Sequence, residues 1–242
     1  MIRFSLFLVR VQWIDRKATS SFLIGITLQT LMLTVALHGR ATDAGHALVL
    51  ATRAALLTCV TIVLLSAMSS VQNEFRYGTM ESVLLGRLSL FRLLAIRAAA
   101  CAVVTSPAIV VPYIGAAVKF PSLVAPRTAV LIAMVYVCLA AICYQSTLTL
   151  CQFTRPAAAV PWFRMVLLVI GLSVVPFPGA DTAALILPCG WVLRFAGETR
   201  GSATVLMFLV VAVAWTVALW LVFRDSVGRR VERTLTDGRA AL

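Results

Sequence analysis

Five windows without a charged side chain, 18–37, 54–73, 98–118, 128–150 and 203–223, dominate this sequence. Each runs for 20 to 23 residues. At about 1.5 Å of rise per residue, such a helix covers a hydrocarbon core of roughly 30 Å. Composition agrees: 61% of the residues are hydrophobic and 12% charged, against about 45–50% and about 25% in water-soluble domains. The expected fold class is an all-α polytopic membrane protein, and 242 residues leave room for about six crossings and no separate catalytic domain.

The fifth crossing is irregular. From Met165 the chain stays apolar only to Val175 before Pro176, Phe177, Pro178 and Gly179, so a full span must start earlier, near Pro161. A second apolar run, Thr182 to Leu193, is broken by Pro188 and Gly190 and suits one or two re-entrant outer helices, since irregular backbone at membrane depth must be buried in protein or line a cavity. Spans are therefore expected at 18–37, 54–72, 98–118, 128–150, 160–176 and 203–223, with an outer re-entrant segment at 177–200 and a tail at 224–242.

Basic residues set the orientation. With both termini in the cytoplasm, fifteen lie inside: Arg3, Arg10, Arg16, Lys17, Arg76, Arg87, Arg92, Arg97, Arg155, Arg164, Arg224, Arg229, Arg230, Arg233 and Arg239. Six lie outside: Arg40, Arg53, Lys119, Arg127, Arg194 and Arg200. This bias is the positive-inside pattern. The net charge of +12 is thereby read as topology signal and attraction to anionic lipid, with no nucleic acid implied. The first window lacks a small-residue cleavage site after His38 and Gly39 and is read as a retained span. Nineteen of the 21 basic residues are arginine, a composition that points to a high-GC bacterium and its cytoplasmic membrane.

Cys59, Cys101, Cys138 and Cys143 fall inside apolar runs, Cys151 at the end of one and Cys189 in the outer segment. No metal-type spacing links them, and they read as small buried hydrophobes. His38, His46 and Asp43 share the first outer connection but form no recognisable zinc or nucleophile motif, so no catalytic or metal residues are assigned.

Two cytoplasmic stretches have helical patterning. Phe4, Phe7, Leu8, Val11 and Ile14 recur at helical spacing with Arg3 and Arg10 on another face, which describes either an interfacial helix at 3–16 or a basic flank that orients the first span. In the inner connection after the second span, Gly78 permits a turn, Thr79 suits an N-cap and Glu81 favours the positive end of a helix continuing through Val83, Leu84 and Leu85. A short amphipathic helix is expected at 74–90. In the tail, Val227, Val231 and Leu235 share a face, with Arg224, Arg230 and Arg233 on others, as in a surface helix or a charged stop.

Glu74, Arg76, Gly78, Thr79, Met80, Glu81, Leu84 and Leu85, together with the order of the elements around them, resemble the permease subunit of type-2 ATP-binding-cassette exporters. The family often continues with Ser-Pro, where this chain has Gly86 and Arg87 before Ser89. The resemblance implies that this segment docks in a groove of a separate ATPase present in two copies, and that the permease pairs with itself or a sister permease. It also implies that ATP and Mg are bound by the partner ATPase and none by this chain. From the residues alone, the same segment also suits an ordinary capped helix packed under its own bundle. The chain supplies no phosphate-binding loop, for its two lysines, Lys17 and Lys119, follow Arg16 and Val118 rather than glycine.

Thr27, Thr30 and Thr34 stripe the first span, Thr58 and Thr61 lie close together in the second, and Tyr144 and Thr147 in the fourth. Such side chains line a polar path or bond back to their own helix. The three threonines of the first span and the two of the second are the cavity candidates. With no carboxylate deep in a span, the expected cargo is amphiphilic, drug-like or lipid-like. An ATP-independent channel or carrier is the alternative, although no inverted repeat is visible.

Overall fold

The computed structural model describes residues 28, 31–32, 34–35, 39–62, 99, 106–150, 185–197 and 201–240. These residues are mostly helical, and none of them is in a strand. The expected interfacial helix at 3–16, most of the span at 18–37, the inner helix at 74–90 and the span at 160–176 lie outside the described residues.

Helix α1 spans Ala44–Ile62. It begins ten residues before the uncharged window at Ala54, because Asp43 caps it: Asp43 Oδ1 accepts the His46 backbone N–H at 2.6 Å, and Ala47 N–H bonds to Asp43 O at 2.9 Å. Arg53, counted with the outer connection in the sequence, therefore sits in the middle of this helix. A single charge interrupts an apolar window, but it does not interrupt a helix.

Helix α2 covers Ser106–Lys119 and contains Pro112. The short 3₁₀ turn Pro121–Leu123 leads into α3, Pro126–Leu150, where Pro126 takes the first helical position, at which its missing N–H costs nothing. Thr128 Oγ1 donates to Leu123 O at 2.6 Å and ties the turn to the helix. Helix α4, Pro188–Gly197, also opens on a proline, so Pro188 starts the outer helix rather than breaking it. Helix α5, Ser202–Ala240, runs on past the expected end of the last span without interruption.

Helix α1 is the hub and packs on α2, α3 and α4, while α5 attaches through α3 and α4. The contact surface of α1 is built from Ala47, Ala51, Ala54, Ala55, Thr52, Thr58 and Cys59, all buried. Small side chains let helix backbones approach closely. Leu56, Ile109, Leu131, Leu139 and Phe208 are the largest fully buried side chains and fill the space between the helices. Cys59, Cys138 and Cys189 are buried thiols in this core.

Helix α5 has the opposite character. Its segment Ser202–Val222 has 21 residues, a mean hydropathy of 2.7 and only 11% of its most apolar window buried. It is long and apolar enough to cross a membrane, and among the described residues it is the one helix that meets that test. The apolar stretches Ala44–Val60, Pro107–Lys119 and Pro126–Ile142 are shorter.

Candidate functional site

The eight residues of the expected ATPase-coupling segment, Glu74, Arg76, Gly78, Thr79, Met80, Glu81, Leu84 and Leu85, lie outside the described residues, as do Thr27 and Thr30. Thr61 falls in the last turn of α1, but its side chain is outside the description.

Thr34 and Thr58 can be placed. Thr34 is half-buried and its methyl group fills the space where a side chain on Gly115 would stand. It lines a cavity of about 20 Å³ with Ala47, Ala51 and Ala54 of α1 and Pro112 and Ala116 of α2. Room for about one water molecule is all this volume provides. Thr58 Oγ1 donates to Ala54 O at 2.9 Å, which meets its hydrogen-bonding need within its own helix.

A polar relay that the sequence did not suggest crosses the α1–α2 seam. Tyr113 Oη donates to Thr52 Oγ1 at 3.2 Å, and Thr52 Oγ1 donates to Leu48 O at 2.8 Å. Both residues are buried. Their pairing spans 61 positions, so spacing along the chain carries no sign of it. A second relay joins α3 to α5: Gln145 Nε2 donates to Thr216 Oγ1 at 3.3 Å, which donates to Ala212 O at 2.8 Å.

Three of the six basic residues counted on the outer side, Lys119, Arg127 and Arg194, serve the fold. Arg127 at the start of α3 donates through Nη2 to Phe195 O at 2.8 Å and Ala196 O at 3.1 Å, two carbonyls at the end of α4, and lies 5.7 Å from the Phe195 ring centre. A cation at the carbonyl end of a helix satisfies orphan acceptors and complements the dipole. Gly201 stands against the Phe195 ring, and a methyl group there would collide with it. Lys119 Nζ donates to Ala41 O at 3.0 Å and sits 5.6 Å over Phe120. Arg194 stacks 5.5 Å over Trp191. Two indoles anchor the segment before α4: Trp191 Nε1 donates to Leu185 O at 2.8 Å and Trp215 Nε1 to Ile186 O at 2.7 Å.

Arg53 differs from these. Its Nε is buried and has no hydrogen-bond partner, the one such side-chain nitrogen or oxygen atom among the described residues. Asp43 is committed to its cap and His46 Nδ1 lies 3.4 Å from Thr42 Oγ1. Among the described residues no three His, Cys, Asp or Glu side chains gather as a metal site would require. Burial pushes the Cys189 thiol up to about 11, which keeps it protonated and unreactive at neutral pH. No family model matches this chain, and neither a curated protein nor a solved structure matches it.

Proposed function

We propose that this chain is the membrane-spanning permease subunit of an ATP-binding-cassette exporter. In this reading it crosses a bacterial cytoplasmic membrane six times with both termini inside, pairs with a second permease and is driven by two copies of a separate ATPase. Glu74, Arg76, Gly78, Thr79, Met80, Glu81, Leu84 and Leu85 form the docking segment, and the cargo is an amphiphilic, drug-like or lipid-like molecule.

The observation that carries this reading is α5. A 21-residue segment with its large apolar side chains turned outward continues, within one helix, into turns bearing Arg224, Arg229, Arg230 and Arg233. That order supports a helix leaving an apolar medium for an aqueous side rich in anionic lipid.

The test is reconstitution of the full chain with a candidate ATPase. Cargo-stimulated ATP hydrolysis that is lost in Glu81→Ala, while membrane insertion is retained, is the expected result. Cargo movement that needs no ATP identifies the ATP-independent channel or carrier instead.

A further inference from the structure

Four residues of α2, Pro112, Gly115, Ala116 and Lys119, recur at helical spacing and share one face. Each acts differently on the seam with α1. Pro112 has no N–H to give to the Ala108 carbonyl, so α2 lacks a backbone hydrogen bond at its middle. Gly115 adds backbone freedom that a helix interior usually avoids, and no methyl group would fit between it and Thr34. Pro112 and Ala116 line the void beside Thr34, together with Ala47 and Ala51 of α1. Lys119 Nζ donates at 3.0 Å to the carbonyl of Ala41, a residue that itself stands in the wall of the void.

These contacts leave the C-terminal half of α2 one direction in which to move. Tyr113, next to Pro112, donates to the buried Thr52 hydroxyl and pins the joint to α1. A tilt toward the void is blocked where Gly115 meets Thr34. On the far face Ile114 and Val118 are 56% and 77% exposed, so a tilt away from α1 is open to them. The Lys119 bond to the Ala41 carbonyl opposes that tilt as a catch. A pinned joint, a weakened backbone and a polar catch at the tip are the parts of a hinge, in which a few residues absorb the change in backbone angles.

We propose that residues 113–119 form a gate over the void beside Thr34, swinging about Pro112 and Gly115 and held shut by Lys119 on the Ala41 carbonyl. Shut, the void has room for about one water molecule. Open, it exposes Thr34 and Ala51 from the Lys119 end of α2. That the opening serves export rests on the permease reading, whereas the gate rests on the geometry of α2.

The test places Ala51→Cys in the full chain in nanodiscs and follows its modification by a cationic methanethiosulfonate, with the labelling of the native protein subtracted. The reagent is much larger than one water molecule, so it reaches position 51 only through the open gate. Lys119→Met keeps the length of the side chain without its donor and is expected to raise the labelling rate about tenfold, as the loss of one charged hydrogen bond implies. Pro112→Ala restores the missing backbone bond and is expected to lower the rate. Arg127→Met removes a comparable clasp from α4 and is expected to leave it unchanged. An unchanged rate in Lys119→Met overturns the proposal, as does an undiminished rate in Pro112→Ala or an equal rise in Arg127→Met, which would mean general loosening. Should Lys119→Met fail to fold, Pro112→Ala decides. Addition of the candidate ATPase and ATP separates the gate from the exporter reading. A rate that rises with ATP ties the gate to export, whereas a rate that depends on Lys119 and ignores ATP leaves the gate standing and removes that tie.

Discussion

Helices α1 and α5 are both long and apolar, yet they relate to the rest of the molecule in opposite ways. Helix α1 packs on three other helices and meets them mainly with alanine, threonine and cysteine, beside Leu48, Leu56 and Val60. Helix α5 touches two helices and presents Leu206, Leu209, Val210, Val213, Val217, Leu221 and Val222 outward. The two differ in side-chain size more than in polarity. Small residues mark the face along which another helix approaches, because dispersion contacts require backbones to come close. Large branched residues mark a face with no close neighbour among the described helices.

The strongest expected effect tests that contrast directly. Ala55, with no exposed surface, lies in the close-packed surface of α1, and Ala55→Leu is expected to destabilise the protein by about 3 kcal/mol through overpacking. Val213→Leu on the outward face of α5, where Val213 is 59% exposed, is expected to change stability by less than about 0.5 kcal/mol. Chemical denaturation in detergent measures both, and similar values for the two would erase the distinction drawn between the helices.

The next effect concerns α4, which joins the two. In the folded protein the Cys189 thiol ionises near 11, raised from 9.0 by burial. Between these values the unfolded chain has lost the proton and the folded one still holds it, so unfolding releases a proton and becomes easier as pH rises. The contribution is complete below pH about 9 and declines by about 1.4 kcal/mol per pH unit up to about 11. Stability of Cys189→Ala against pH should lack this slope. An unchanged slope would assign it to another group.

A smaller effect is expected at the link between α4 and α5. A methyl group on Gly201 would meet the Phe195 ring, and Gly201→Ala is expected to cost about 1–2 kcal/mol as that ring shifts away from its place beside Arg127. Gly197, at the end of α4, has nothing within 4 Å of an added Cβ, so Gly197→Ala should be neutral or stabilising by up to about 1 kcal/mol. Thermal melts of the pair distinguish a steric role at Gly201 from a general effect of shortening the list of glycines.

The smallest effect lies in the α1–α2 seam. Tyr113→Phe deletes the donor to Thr52 but leaves Thr52 bonded to Leu48 O, so only one hydrogen bond is lost, at about 1 kcal/mol. Thr52→Val should cost more than Tyr113→Phe, because it leaves a buried phenolic hydroxyl without its acceptor. Reversal of that order would show that the relay contributes no stability.

Where each helix began was legible in proportion to how sharply its start is punctuated. Helices α3 and α5 start within two residues of their uncharged windows, at Pro126 and Ser202. Helix α1 starts ten residues early, because Asp43 caps it locally while Arg53 hides its continuity from any count of charges. Pro188 looked like a break and is a beginning, since a proline at the first helical position sacrifices no hydrogen bond. Of the threonines singled out, Thr58 and Thr34 share a pattern in the sequence but differ in the structure: Thr58 bonds its own helix, while Thr34 stands against Gly115.

The amino-acid order alone established that this chain is helical and where its longest apolar runs lie, because hydropathy and capping are local properties that act within a few residues. It could not assign partners. Arg127 meets Phe195 and Ala196 across 68 and 69 positions, Tyr113 meets Thr52 across 61, and Arg53 is left without an acceptor for its Nε. Whether a charge is satisfied depends on which backbone carbonyls and hydroxyls the packed helices bring within about 3 Å of it, and only the folded chain sets those distances.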